Sequence, residues 1–451
     1  MRQGARAILD YVMNMPLVHC FVINWNGLEH LEACFEALLA GTYENARFVL
    51  IDNASEDGSA EFVQGTYGYD PRLDIVVNAS NLGWSAGNNV GLEQALDGGA
   101  DYVFLLNNDT VVAPDAIERL VEMAAARPEA GALAPKMLLY DSPDIINSVG
   151  LECSVIGSTW DLGIGRLDGP HWATPRKVIG VCGGACFLRT SALRKTGLLP
   201  TGFGIYLDDL DLCLRLWDAG YEVWNCPDAV VRHKYSATMG RGGQERRKYY
   251  LTTRNRARLM ALNAPWRKAP RIICCMAVGE CRAVGRAALE RSWWKVGAHV
   301  RGWAAGAAGL PADLSERRRR SRNGLVAGRF WPLVRTDRLF FEGAEFPENG
   351  WYKARDVRGR RVRPMSARAH LGVGTGRLRV IHANCYPRLG ESRVRAVLDG
   401  EQVAVLTTDG VDEITLDVAG GRLEFFADRI FNADDTGERA DFGGWIRVEQ
   451  E

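Results

Sequence analysis

Asn107-Asn108-Asp109 closes an apolar run, Tyr102-Val103-Phe104-Leu105-Leu106, and is one of two places in this chain where residue types and spacing suggest chemistry. Five successive apolar residues after Gly98-Gly99 read as a strand buried on both faces. The polar triplet then falls at its carboxyl end, where open α/β sheets hold ligands. A carboxylate there, beside two amides, suits one oxygen ligand of a divalent cation that carries a substrate's phosphates. The plainer alternative is a turn leading into the helix that Pro114 and Asp115 announce. Asp208-Asp209 is the second place. Leu210, Cys213, Leu214 and Trp217 recur behind it at helical spacing, so both acids stand at a helix start, where they can also serve as a cap or answer the macrodipole. Asp211 and Arg215, four residues apart, predict an ion pair on the surface of that helix.

The elements that must position these acids alternate. Residues 17–24 form an apolar run ending in Asn24-Trp25-Asn26-Gly27, with a helical pattern behind it. Residues 47–51 lead into Asp52-Asn53-Ala54-Ser55-Glu56-Asp57-Gly58-Ser59, so two strand, turn, helix units of nucleotide-binding type stand in tandem. Ser55, Asp57 or Ser59 can cap the helix that follows. Residues 73–77 give a third strand and then a glycine-rich loop over 78–91. There Gly83, Gly87 and Gly91 let backbone approach a ligand, and Asn81, Asn88 and Asn89 can donate to and accept from a base or ribose. Residues 114–126 read as an amphipathic helix, 130–140 as a strand, and 141–175 as irregular, where an enzyme's acceptor specificity would lie. Residues 178–189 read as strand, glycine turn, strand, with Gly183-Gly184-Ala185 in the turn. Two further strands cover 221–225 and 227–231, and His233 follows them as a surface residue or a ligand.

In this order the segments resemble the inverting family 2 glycosyltransferases of the GT-A fold, particularly the bacterial rhamnosyltransferase-like branch, over residues 16–260. The resemblance is carried by Asn81-Leu82-Gly83 with Gly87-Asn88-Asn89, by Asn107-Asn108-Asp109 and by the acid pair at 208–209. It implies an α/β, Rossmann-like domain that binds a nucleoside diphosphate sugar, UDP- or dTDP-linked, and passes the sugar to a glycan or lipid-linked glycan. Asp109 would hold Mg2+ or Mn2+, with His233 completing the metal site; Asn107 stands where the family's Asp-x-Asp has its first acid. Asp209 would be the general base, beside Asp208 where the family has Glu. Asp52 would face the nucleotide base, Asn81 and Asn107 would help place base and ribose, and Gly184 would lie near the donor sugar. Asn24, Trp84, Gly87, Asn88 and Asn108 complete the implied donor pocket. Two rival readings are a catalytically silent glycan-binding protein on the same scaffold and a sugar nucleotidyltransferase. The latter wants a basic glycine-rich loop after the first strand, and Asn24-Trp25-Asn26-Gly27 has no cation.

Lys plus Arg equals Asp plus Glu over the 451 residues, but residues 241–330 hold twenty-one Lys or Arg against five Asp or Glu. Arginines interleaved with Leu, Ile, Met and Trp293-Trp294 suit helices on an anionic membrane surface, and no nucleic-acid recognition motif competes. Arg317 to Arg320 read as a solvated basic hinge. From residue 335, short alternating segments separated by Gly, Asp and Asn turns predict an antiparallel β-sandwich. Trp351, Tyr352 and Trp445 at its edges serve either its core or carbohydrate binding. The expected domains are therefore 16–245, 246–334 and 335–451. Eleven cysteines without C-x-x-C spacing, no signal pattern at the start and no run long enough to span a bilayer point to a reducing, cytoplasmic location, peripheral at the inner face of the plasma membrane.

Overall fold

A computed structural model describes residues 15–234, 244–336, 355–357, 360–365, 368–383, 392–399, 401–408, 411–427 and 444–450. The chain divides into two compact units. One comprises Met1–Met137, Ser148–Leu162 and Ala173–Phe341, the other Leu138–Asn147, Gly163–Trp172 and Glu342–Glu451.

The first unit opens with β1 (Val18–Asn24), α1 (Leu28–Leu39), β2 (Ala46–Asp52), α2 (Ser59–Tyr67), β3 (Leu73–Val77), α3 (Gly83–Asp97) and β4 (Tyr102–Asn107). These four strands are parallel and lie in the order β3-β2-β1-β4. The chain works outward from β1 to β3 and then crosses to β4, which opens a crevice at the carboxyl ends of β1 and β4. Asn24 and Asn107 end those two strands. The apolar runs are continuous because both sheet faces are covered: Val18, Cys20 and Val22 of β1 pack with Leu31 and Phe35 of α1, while Phe21 packs with Leu92 and Ala95 of α3.

The glycine-rich stretch is a helix, not a loop, from Gly83 onward. A Cβ at Gly91 would meet the Phe21 ring at 2.5 Å, and one at Gly87 would meet Ile23 Cδ1 at 2.7 Å. These glycines, four apart on one face, let α3 lie directly on β1; their small size serves packing rather than a ligand.

Beyond β4 come β5 (Thr110–Val112), α4 (Ala116–Ala126), β6 (Ala130–Leu139), β7 (Ile146–Ser148), β8 (Leu151–Cys153), β9 (Thr159–Asp161), β10 (Ala185–Arg189), α5 (Thr190–Thr196), α6 (Asp208–Asp218) and β11 (Glu222–His233). The sheet continues as β4-β10-β6-β11-β5, with antiparallel pairing. This is the α/β architecture that the sequence implies. Two details differ. Residues 178–184 form no strand: Val178 and Gly180 are held by single contacts, Val178 N to Val223 O at 3.0 Å and Leu151 N to Gly180 O at 2.8 Å. The two expected strands around Pro227 are one, β11.

Three helices complete this unit: α7 (Gln244–Asn263), α8 (Ala269–Leu289) and α9 (Trp293–Arg322). Two expectations are corrected here. Asp211 is not on the surface of α6; it is fully buried, receiving Arg215 Nε at 3.0 Å, Arg320 Nη1 at 2.7 Å and Asn263 Nδ2 at 2.8 Å. Nor are arginines 317 to 320 a solvated hinge. Arg317 is buried and donates to the carbonyls of Ala261 and Ala264 at the end of α7, and Arg320 is buried against Asp211. Helix spacing showed the near partner of Asp211 but not the one brought by α9, 109 positions away.

The second unit carries β12 (Arg355–Val357), β13 (Arg360–Met365), β14 (Arg368–Ala383), β15 (Ser392–Leu398), β16 (Glu401–Thr408), β17 (Val411–Ala427) and β18 (Gly444–Gln450) in one antiparallel sheet, order β12-β13-β18-β14-β17-β15-β16. The long β14–β17 pair is shared: its Leu378–Ala383 end takes β18, and its Leu423–Ala427 end takes β15. Val380 from one end and Val394, Ala396, Leu406, Leu423 and Phe425 from the other join a single apolar cluster. Trp351 and Tyr352 lie outside the described residues.

Burial opposes the charge on Asp211, yet Arg320, Arg215 and their hydrogen bonds hold its carboxyl down at about 2. With the folded value below the ordinary one, the stabilisation is complete above about pH 5 and is lost as pH falls toward 2; it amounts to about 2 kcal/mol. Asp211→Asn should cost about 3–5 kcal/mol at pH 7 by stranding two buried cations. In urea titrations the gap between variant and wild type should narrow at pH 3.

Candidate active site

Asn108 Nδ2 donates to Asn24 Oδ1 at 2.6 Å, tying the ends of β4 and β1 together across the crevice. Asn24 Nδ2 donates in turn to Asp52 Oδ1 at 2.9 Å, and Asp52 also accepts Ser55 N at 2.8 Å and Ser55 Oγ at 2.6 Å. Asp52 is 1 % exposed. Its oxygens close the turn after β2. Asp57 accepts Leu28 N at 2.9 Å and Ser59 N at 3.1 Å, so it serves the first turns of both α1 and α2. Asn81 is exposed and turns back on Gly83 N at 2.8 Å; Asn88 is buried and donates to Trp84 O at 3.0 Å. Neither Asn88 nor Gly87 presents itself to the crevice.

Trp84 does. Its Nε1 donates to Asn107 Oδ1 at 3.1 Å, and its ring covers Gly183, where a Cβ would meet it at 2.8 Å. Gly183 N donates to Asp209 Oδ2 at 2.9 Å, and Leu210 N to Asp209 Oδ1 at 2.7 Å. Asn107 N is bonded to Gly184 O at 3.0 Å. One connected wall therefore runs from the strand end bearing Asp109 to Asp209, through Asn107, Trp84 and the glycine pair.

The two acids of α6 differ. Asp208 is 3 % exposed and accepts a short hydrogen bond from Ser85 Oγ of α3, while Asp209 is partly open. Burial raises the affinity of Asp208 for its proton. Burial first, and the Asp208 charge second, push Asp209 up to about 7, against the pull of its two N–H donors. A carboxyl that gives up its proton near neutrality is suited to general base work.

At the strand end where this wall begins, Asp109 is nearly buried. Its Oδ1 accepts no hydrogen bond and lies 3.2 Å from His233 Nε2, on β11 paired to β5. No cluster of three His, Cys, Asp or Glu side chains arranged for a metal occurs among the described residues. An oxygen without a hydrogen bond and an imidazole beside it fit a partial ligand set for a hard divalent cation, with diphosphate oxygens and water supplying the rest.

Three contributors carried no sequence signal that singled them out. Asp161, at the end of β9, hydrogen-bonds Ser148 and Cys182, has its affinity for a proton raised by burial, and feels the charges of His233 and Lys248. Lys248 of α7, its affinity for a proton lowered by burial, has Nζ 5.9 Å from the Tyr206 ring. Asn255 is the third. Tyr206 (φ 71°) and Leu207 (φ 67°) are consecutive left-handed residues directly before Asp208. Such backbone costs about 1–3 kcal/mol per residue and persists only when held. Asn255 Nδ2, fully buried, reaches the carbonyls of Phe203, Ile205 and Tyr206 at 3.2, 2.9 and 2.9 Å. An asparagine in mid-helix between two arginines was the available clue, since it is a poor helix former.

The fold and site bring together one acid beside a histidine at a strand end and a second acid at the head of α6, in an α/β domain. Residues 20–196 match the model for Glycosyl transferase family 2, which marks this stretch as a domain of that kind and the protein as a transferase. It is 29% identical over 237 residues to an N-acetylglucosaminyl-diphospho-decaprenol L-rhamnosyltransferase of Mycobacterium tuberculosis (strain CDC 1551 / Oshkosh), covering 47% of this chain and 74% of that one. It is 28% identical over 200 residues to the succinoglycan biosynthesis protein ExoA of Rhizobium meliloti (strain 1021), covering 44% and 57%. The solved structure of GalNAc-T7 with UDP, GalNAc and Mn2+ is a weak likeness, TM-score 0.47 at 15% identity, covering 56% of this chain and 49% of that one. The family match stops short of Asp208, Asp209 and His233.

Asn255→Leu should loosen the turn before α6 while leaving the sheet intact. The expected result is a turnover loss on the order of tenfold to a hundredfold with little change in donor affinity, read as kcat against KM.

Proposed function

We propose that this protein is a metal-dependent, inverting glycosyltransferase that moves a sugar from a nucleoside diphosphate sugar, UDP- or dTDP-linked, to a hydroxyl of a glycan or lipid-linked glycan. The observation that carries the reading is the continuous wall from Asn107 through Trp84 and Gly183 to Asp209, with an acid of near-neutral pKa at one end and Asp109 by the other. The name of the mycobacterial relative, which specifies a diphospho-decaprenol-linked acceptor, supports a lipid-linked acceptor. Such an acceptor places the working enzyme at a membrane surface. In this reading the seven-stranded antiparallel sheet of the second unit is an appended module.

Asp109 and His233 would hold the cation, which when bound neutralises the negative charge that grows on the departing diphosphate. Trp84 and the Gly183-Gly184 backbone form the floor on which the donor sugar lies. Asp209, oriented by the N–H groups of Gly183 and Leu210, takes the proton from the acceptor hydroxyl as that oxygen bonds to the anomeric carbon. The bond from that carbon to the diphosphate breaks on the opposite face, so configuration inverts. Asp208 does not touch substrate; its buried charge keeps Asp209 basic enough to act. Asp161 lies where it can bind a sugar hydroxyl.

Because the base must be ionised, kcat/KM should rise with pH to a plateau above about 7. Asp209→Asn should bind donor normally, lose transfer by roughly two to four orders of magnitude and show no such rise. A pH-rate profile with a panel of UDP and dTDP sugars checks this, and a fully active Asp209→Asn enzyme would refute the assignment. Asp109→Ala should abolish the gain in UDP affinity that Mn2+ confers, measured by titration calorimetry with and without the ion.

A further inference from the structure

The outward side of α8 differs from every other helix surface in the first unit. Its inward residues, Ile272, Met276, Gly279 and Ala287, are buried, and its single acid, Glu280, is buried against Arg256 and His299. Facing out are Ile273 (65 % exposed), Val278 (53 %) and Leu289 (87 %), with Cys274 and Cys281 between them. Arg271 and Arg282 run along one edge of this stripe without an acidic partner among the described residues; Arg286 lies 3.4 Å from the exposed Glu290. Tryptophans stand beyond both ends: Trp266 is 66 % exposed although Arg317 stacks on it at 4.5 Å, and Trp293 is 68 % exposed. No helix among the described residues is long and apolar enough to cross a membrane.

We propose that this face of α8 lies in the plane of an anionic lipid bilayer, the apolar stripe entering the acyl boundary and the arginines meeting lipid phosphates. An apolar face with unopposed cations on its edge and indoles at both ends matches what the headgroup region offers: hydrocarbon below, negative charge beside it, and a depth at which tryptophan is stable. A protein partner would need acids complementary to Arg271 and Arg282, and this helix presents none through which a second copy could pair with itself. The inference deepens the lipid-linked acceptor reading and rests on it for its purpose, but its physics does not involve the transfer site.

The test uses the full-length chain and extruded vesicles of phosphatidylcholine alone or with 30 % phosphatidylglycerol, scored by co-sedimentation. Wild type should pellet with the anionic vesicles, release in high salt, and ignore the neutral ones. Arg271→Glu with Arg282→Glu should weaken binding more than tenfold, at about fivefold for each lost cation. Ile273→Glu with Val278→Glu should weaken it comparably, both variants keeping wild-type circular dichroism and donor hydrolysis in buffer. A thiol-reactive, polarity-sensitive dye on Cys274 and Cys281 should shift to the blue on anionic vesicles. Unchanged binding by either double variant, or a wild-type dimer that the apolar variant dissolves, would overturn the proposal. If wild type binds vesicles but turns over no donor, the surface stands and the transferase chemistry fails; the reverse result separates them the other way.

Discussion

Two neighbouring carboxyl groups at the head of one helix cannot both be left to water if one of them is to work as a base near neutral pH. Everything around α6 answers that constraint. Asp208 is sealed under Ser85, Asp209 is clasped by two backbone N–H groups, and burial first, with the repulsion between the two second, sets how readily Asp209 yields its proton. The helix start is aimed by two left-handed residues that the backbone would not choose alone. The sheet provides the opposite wall, where Asn24 and Asn108 clamp the ends of β1 and β4.

The basic helices are part of this arrangement rather than a separate appendage. Asn255 of α7 supports the turn before the acids, and Asn263 with Arg320 completes the bonding of Asp211 one turn further along α6. Many of their cations are spent internally: Arg256 on Glu280, Arg258 on Asp313, Arg317 on the end of α7 and Arg320 on Asp211. Others face solvent, along the edge of α8 and at positions such as Arg246, Arg247, Arg267, Arg301 and Arg322.

The alternation of strand and helix was legible from period and punctuation, because parallel strands covered on both faces are written as unbroken apolar runs. The acids at 109 and 208–209 were legible because each ends or begins such an element. The roles of glycines 87 and 91 were not. A glycine that admits a ligand and one that admits a phenylalanine ring look alike until Phe21 is placed beside it. The partners of Asp52 were hidden for a related reason: nothing local says that Asn24 and Ser55 will bond its oxygens. Arg320 and Asn255 act across more than forty positions, so only the packed helices reveal them.

The partners of Asp211 also set an order of events during synthesis. Asn263 and Arg320 emerge from the ribosome well after α6, and until they arrive a carboxylate and a guanidinium on that helix must stay hydrated or stay apart from the core. The bonding around Asp211 therefore cannot be completed until the final turn of α9 has been delivered.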